Sequence, residues 1–499
     1  MKIKHLEQYF AGKQSGIVTL FILVLGATLR FYDYLNRFGI GYDQTHDAII
    51  SRYALEHYLI PLVGPFSSAG PFQTGGEWYW FIMAGASLLP FSPISPWIFM
   101  TLIHIAFIYL TIIVGKKIID KPFGYIAGFF AAISTAQIAQ STNLTNQGPQ
   151  AIPALLAIFS AIVWIREKKT ISLFCLGFFV SLGMSIHMQA AALLSLIPIT
   201  IILGGMKYLK PGLIMSLIIG LVIPHIPLLL FDFQNDFVNL QGMIQYFLYD
   251  QYKISFEVLG RRWLTYAFVF WPNAWSHIIG GQMVISFATI IGIGLMFTYK
   301  LIAKKMNRVF LFLISSFFIM VIILRYIRAP LFDSYLVFLN PFVVFLSAWL
   351  VYFLLKKKKA LGIIAFLVIA SGSLIKDFSE ITHKGNMVTR LMIQNWRSAL
   401  LEQYPDNKFS FYDYKFESKN ISFPFVYFMY AEDKIDDDAI KIGVALVSKV
   451  DEFPFEKISD GSGGYQVFVL NGLQKDLEQE GWRKINPDYV YNSVERWRQ

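Results

Sequence analysis

Apolar runs of 16 to 23 residues recur through the first three quarters of the chain, separated by short polar stretches. A helix needs roughly 20 apolar residues to cross the hydrocarbon core of a bilayer, so the pattern predicts transmembrane helices. An outer-membrane barrel would instead alternate apolar and polar residues over segments of about ten, and that alternation is absent. The runs predict about eleven helices: 16–35, 97–115, 122–138, 149–165, 171–186, 189–205, 211–231, 283–300, 308–326, 333–355 and 360–375. After residue 375 the pattern changes to charged, mixed sequence with no spanning run. There 386–403 has helical periodicity, and Lys408 to Phe416, Ile440 to Val447 and Tyr465 to Leu470 read as strands, the last after a Gly-rich turn, Asp460 to Gly464. The expected architecture is an all-α polytopic bundle, residues 1–375, followed by a small α/β domain, residues 376–499.

Charge fixes the expected orientation. Lys and Arg cluster in the short connections: Lys116-Lys117-Lys121, Arg166-Lys168-Lys169, Lys207-Lys210, Lys300 to Arg308 and Lys356 to Lys359. The positive-inside rule puts such loops in the cytoplasm. All of them, and the basic N-terminus, fall on one side only if 77–90 does not cross, so that segment is expected to be interfacial or re-entrant. The N-terminus is then cytoplasmic, and the long loops 36–96 and 232–282 and the C-terminal domain are extracytoplasmic, in a plasma or inner membrane. Composition agrees: 55% of the residues are hydrophobic and 15% charged, against about 25% charged in soluble domains. The net charge of +10 lies in these loops, which argues for membrane lipids rather than nucleic acid as its partner. The single cysteine, Cys175, excludes an internal disulfide. The first run lacks a small-residue cleavage site, so it reads as an anchor helix and not a removable signal.

Chemistry is expected on the outer side, in the long loops. The stretch Gly41-Tyr42-Asp43-Gln44-Thr45-His46-Asp47-Ala48 follows the first run. Carboxylates four apart can share a face if the second begins a helix. Asp47 is equally suited to capping an amphipathic helix from Ala48 to Leu59. Asp43 has no capping role; a carboxylate at the bilayer boundary is costly and more often functional, able to take a proton from an acceptor hydroxyl or bind a metal.

With an outward loop opening on this acidic motif and the segment Gly75-Gly76-Glu77-Trp78-Tyr79-Trp80, the chain resembles the GT-C superfamily of membrane glycosyltransferases. It is most similar to family 39, the protein O-mannosyltransferases and aminoarabinose transferases. The late segment Arg328-Ala329-Pro330-Leu331-Phe332-Asp333-Ser334-Tyr335-Leu336 is similar to that family's outward loop before a Tyr-Leu-rich helix. The resemblance implies transfer of a sugar from a polyprenyl-phosphate carrier to a lipid, glycan or protein acceptor at the outer face, with Asp43 as general base. The chain departs from the pattern at Gln44, where Glu is usual, at Asp47, which occupies a Tyr position, and at Gly75 to Trp80.

A lipid phosphate calls for cations, preferably Arg, whose guanidinium fork matches phosphate oxygens. Arg328 is the first candidate for the donor phosphate, with Arg261 and Arg262 next; for each the alternative is snorkelling to lipid headgroups. Arg325 is expected to snorkel. His46, Glu77, Tyr79, His187, Gln189 and Tyr335 are candidates for the cavity or the acceptor, and Asn143, Asn146 and Gln147 line a cavity or cap a helix. No cofactor is required. A divalent metal near Asp43, His46 and Asp47 is the one group with any suitable ligands. Two rival readings share the composition: a lipid-linked polysaccharide polymerase or ligase, which should carry its large loop late, and a lipid or sugar transporter. Transporters place ionisable groups near mid-membrane and show paired repeats, and neither is evident here.

Overall fold

The computed structural model describes residues 2–67, 70–88, 92–253, 263–326, 332–382, 387–437, 439–446, 456–462 and 465–495. Every predicted span lies on an apolar helix. Seven are long and apolar enough to cross a bilayer: Ser95–Ile118, Gly148–Glu167, Pro211–Gln234, Met283–Ile302, Arg308–Tyr326, Asp333–Lys357 and Lys359–Ile381. Lys121–Ala132 and Thr135–Ser141 together make an eighth, bent by 56°, and Ser15–Phe31, Thr170–Ile186 and Met188–Gly204 are shorter apolar helices. The chain is a multi-pass membrane protein with the helical-bundle architecture that the hydropathy pattern predicts. The segment expected not to cross forms helix Glu77–Leu88, whose 12 residues are too few to span.

The bend in the eighth span shows how the bundle tolerates a break. Unpaired backbone carbonyls in a bilayer cost several kcal/mol each unless satisfied. Arg30 reaches the break, its Nη1 donating to Ala132 O at 3.0 Å and its Nη2 to Ala131 O at 3.3 Å. Beyond the break, Thr135 Oγ1 donates to Asp377 Oδ1 at 2.5 Å, tying the second half to the last apolar helix. Arg30 is wholly buried and therefore structural. Arg325, expected to snorkel, is also buried: its guanidinium lies 5.4 Å from the Trp263 ring and 5.3 Å from that of Tyr266. Arg is weakly hydrated and stacks on aromatic faces, and the aromatic residues of 263–270 supply those faces.

The two ends of the bundle differ chemically. At one end Arg166 donates to the carbonyls of Lys117 and Ile118, and Lys168 lies over Tyr208, so the basic connections gather together. At the other end the polar and aromatic connections meet the C-terminal domain. That domain is a five-stranded sheet in the order β5-β6-β4-β3-β7, with β3 Phe409–Tyr414, β4 Ile440–Leu446, β5 Glu456–Ser462, β6 Tyr465–Leu470 and β7 Trp482–Lys484. β3 and β4 are parallel, in register Phe409 to Ile440, and helix Lys419–Ala431 makes the crossover that parallel strands require. β3, β4 and β6 match the sequence reading. Asp460 to Ser462, expected in a turn, continue β5, which pairs with β6 as an antiparallel hairpin.

The loop after the first helix is folded. It holds a short hairpin, β1 Val63–Phe66 with β2 Gln73–Gly75, and helix Tyr42–Glu56. One hydrophobic cluster joins Trp78, Trp97 and Ile49 of this region to Phe409, Phe425 and Tyr427 of the C-terminal domain. Tyr427 Oη donates to Pro93 O at 2.5 Å, and Tyr430 Oη to Glu56 Oε2 at 2.5 Å. The loop 232–282 is likewise largely helical in its described parts, Val238–Leu248 and Trp271–Ile278. Asp232 Oδ1 accepts from Asn239 N at 2.8 Å at the start of the first of these helices.

Candidate active site

The acidic motif is helical from Tyr42. Gly41, in extended conformation, precedes the helix, and its carbonyl accepts from Thr45 Oγ1 at 2.8 Å. Asp47 is therefore inside the helix, in its second turn, and does not cap it. Asp43 lies in the first turn, where a carboxylate is favoured by the helix dipole. Asp43, His46 and Asp47 share a face at helical spacing.

The two carboxylates meet different environments. Asp47 is buried, with Oδ2 accepting from Trp78 Nε1 at 2.6 Å and Oδ1 lying 3.0 Å from His46 Nδ1. It is committed to those partners and orients the His46 ring. Asp43 is open to a cavity of about 590 Å³. The walls of that cavity displace bulk water, and this desolvation raises the Asp43 carboxyl above the usual carboxylate value. Asp47 adds to the rise, while His46 and Lys419 oppose it. Gln44 is held at the cavity wall, its Nε2 donating to Asn143 Oδ1 at 2.8 Å.

Residues from seven separate stretches line the cavity. The acidic helix contributes Tyr42, Asp43, Gln44, His46 and Asp47, and the 143–147 connection contributes Asn143, Thr145, Asn146 and Gln147. His187 and Gln189 come from the next turn on that end, and Ser334 and Tyr335 from the start of Asp333–Lys357. The β1–β2 hairpin and Tyr79 close one side, and Ser493 and Val494 of the C-terminal helix Pro487–Glu495 close another. His187 accepts from Gln147 Nε2 at 3.3 Å, and its ring packs 5.2 Å from that of Tyr335. Burial pushes the His187 imidazole down to about 4, so it is neutral. The Tyr79 hydroxyl is buried and has no partner among the described residues. Burial, then the charge of Asp47, holds its ionisation well above the usual tyrosine value, which leaves a neutral O–H able to donate into the cavity.

Of the sequence candidates, Asp43, His46, Asp47, Tyr79, His187, Gln189 and Tyr335 converge here. Glu77 does not line the cavity: its Oε2 accepts from Ser185 Oγ at 2.5 Å, and burial raises its carboxyl. Arg261, Arg262 and Arg328 lie outside the described residues. Ser493, Val494 and the hairpin were not singled out from sequence, since nothing in a short amphipathic helix near the C-terminus announces a cavity wall. Gln73 ties them together, its Nε2 donating to Val494 O at 3.0 Å. A second cavity of about 240 Å³ shares Ser334 with the first. It holds His277, Asp333, Lys376 and Glu380, with His277 Nδ1 hydrogen-bonded to Asp333 Oδ2.

Among the described residues few donors are left open to a divalent metal. Asp47 and His46 Nδ1 are engaged with each other and with Trp78, which leaves Asp43 and the far nitrogen of His46. Calcium takes six to eight oxygen ligands, and magnesium an octahedron. Among the described residues no group of three His, Cys, Asp or Glu could hold a metal.

A polytopic bundle whose one end, with a small α/β domain, holds a cavity over an acidic helix after the first span is an architecture shared with solved membrane proteins. Among solved structures, ArnT from Cupriavidus metallidurans in the apo state aligns with a TM-score of 0.63 at 9% identity, over 93% of this chain and 100% of that one. The same protein bound to undecaprenyl phosphate aligns at 0.61 and 10% identity, over the same shares. AglB of Archaeoglobus fulgidus, an archaeal oligosaccharyltransferase, aligns at 0.48 and 13% over 80% of this chain and 59% of that one. No protein-family profile and no curated protein sequence matches the chain. At such identities the likeness to ArnT is one of fold, and it is the fold that the sequence resemblance implied.

Proposed function

We propose that this chain is a membrane glycosyltransferase that moves a sugar from a polyprenyl-phosphate carrier to an acceptor hydroxyl, with inversion at the anomeric carbon. The observation that carries this reading is the cavity where Asp43, with no hydrogen-bond partner among the described residues, meets His46, His187, Gln189 and Tyr335. The ArnT fold supports the class, and the complex of ArnT with undecaprenyl phosphate supports the kind of carrier.

In this mechanism Asp43 accepts the proton of the acceptor hydroxyl as its oxygen attacks the anomeric carbon. The carrier phosphate leaves from the opposite face. Asp47 acts as a positioning residue: held by Trp78, it fixes His46 beside Asp43. Tyr79 and Gln189 supply neutral hydrogen-bonding groups to sugar or acceptor. Arg328, with Arg261 or Arg262, binds the donor phosphate. Arg328 falls in the segment leading into Asp333–Leu339, whose Ser334 lines both cavities. No step is routed through a metal. The bundle, residues 1–375, is the catalytic part, and residues 376–499, which close the cavity through Ser493, act on the acceptor side. The N-terminus is cytoplasmic, and the cavity opens on the outer face of the cell membrane.

The test is turnover and native mass spectrometry of Asp43→Asn against wild type. General-base catalysis contributes typically 10²–10⁴-fold, so the variant should lose about that much transfer while retaining folding and co-purifying polyprenyl-phosphate sugar. Wild-type turnover in the variant refutes Asp43 as base. A bound polyprenyl diphosphate carrying an oligosaccharide would move the assignment to a polymerase or ligase, and no bound carrier in either form would refute the donor class.

A further inference from the structure

Helices Met283–Ile302, Asn340–Lys357 and Lys359–Ile381 leave a groove of about 690 Å³ between them, which reaches the basic end of the bundle at Tyr299 and Lys357. Its walls are apolar, among them Val284, Ala288, Leu295, Phe353, Leu354 and Val368. From Val284 to Tyr299 the groove follows its first helix for about 22 Å at 1.5 Å per residue. One leaflet of a bilayer accounts for about 15 Å of hydrocarbon, so the groove can take an extended acyl chain along its whole length.

The mouth of the groove is cationic. Lys357 Nζ donates to Tyr299 Oη at 3.0 Å and sits 5.2 Å over the same ring, which packs against Phe353. Lys300 lies over the Phe353 and Phe310 rings, and Lys300 and Lys305 are both near enough to act electrostatically on Tyr299. Among the described residues no salt bridge joins any of these three lysines to a carboxylate. An ammonium has three donors. Lys357 uses one on Tyr299, and two have no partner among the described residues. An uncharged lipid or a partner helix would fill the apolar walls and leave that cationic rim without a counter-charge.

We propose that this groove is a binding site for an anionic glycerophospholipid, one acyl chain lying along the Met283–Ile302 helix and the headgroup phosphate held by Lys357 with Lys300 and Lys305. Such a lipid fills the gap between that helix and the two that follow, where the helix has only 22% of its apolar window buried by protein. The leaflet agrees, since the positive-inside rule puts this end in the cytoplasm and the cytoplasmic leaflet carries the anionic lipids.

The test is native mass spectrometry of the full-length protein released from micelles doped with phosphatidylglycerol and phosphatidylcholine of identical chains. A basic side chain near the surface favours anionic lipid by an amount equivalent to about fivefold in affinity. Wild type should therefore retain phosphatidylglycerol over phosphatidylcholine, Lys357→Ala should lower that ratio about fivefold, and Lys357→Arg should keep it. Ala288→Phe, which blocks the exposed groove wall, should lower the number of retained lipids by one. Equal retention of both lipids by wild type, an unchanged ratio in Lys357→Ala, or an unchanged lipid count in Ala288→Phe would each overturn the assignment. None of these readouts depends on transferase activity.

Discussion

Asp413 sits wholly buried near the end of β3, beneath the helix that touches the candidate active site. Its Oδ1 accepts from Ser418 N at 3.2 Å and its Oδ2 from Ser422 Oγ at 2.5 Å, which ties the strand to the start of Lys419–Ala431. That helix places Phe423 4.7 Å from the Tyr42 ring and Lys419 over its face. Burial pushes the Asp413 carboxyl up to about 6, with the Ser422 and Ser418 bonds opposing; the ordinary aspartate value is about 3.9. The folded state therefore binds this proton more tightly than the unfolded chain does. Stability from this group is gained as pH falls from 6 toward 3.9 and lost as pH rises through the same window. At 1.36 kcal/mol per pH unit the difference amounts to about 3 kcal/mol, roughly 100-fold in an opening equilibrium. Asp413→Asn removes the buried charge and keeps both an acceptor for Ser418 N and a donor for the Ser422 hydroxyl. Hydrogen exchange of β3 and Lys419–Ala431, corrected for intrinsic rates, reads this local opening. Wild-type protection should fall by up to about 100-fold between pH 4 and pH 7, and the Asn variant should be flat and better protected at pH 7. A flat wild-type profile, or a variant less protected than wild type at pH 7, refutes the reasoning.

The remaining expectations concern the cavity. Because desolvation and Asp47 raise Asp43, the acid limb of kcat/KM should lie above the ordinary aspartate value, and Asp47→Asn, by removing a like charge, should move it down; an upward shift would refute the electrostatic reading. Trp78→Phe leaves the buried Asp47 Oδ2 without its indole donor, a loss of about 1–3 kcal/mol, measurable as a lower unfolding midpoint and as reduced turnover with carrier binding unchanged. Gly75→Ala would put a Cβ 2.0 Å from Ser185 Oγ and 2.1 Å from Glu77 Oε2, forcing that pair apart at about 1–3 kcal/mol; Gly75→Ala with wild-type stability would mean that the hairpin is free to shift.

The apolar runs determined the bundle, because length and hydropathy are properties of each segment alone and a bilayer gives every such segment the same solution. The spacing of Asp43, His46 and Asp47 was legible for a similar reason: helical neighbours are fixed by local periodicity. The helix start was not, since Gly41, unlike Asp47, carries no capping side chain, and packing of Tyr42 on Phe423 from the C-terminal domain extends the helix back over it. Partners were not legible either. Glu77 is drawn to Ser185, Arg30 to the carbonyls of a bent span, and Arg325 to two aromatic rings. Sequence offered Glu77 as a candidate for the cavity and Arg325 as a snorkelling residue. A buried polar group takes whichever partner the fold brings within reach, and in this protein those partners come from segments far apart in the chain. Only the tertiary structure decided that, of Asp43, Asp47 and Glu77, Asp43 is the one without a hydrogen-bond partner among the described residues.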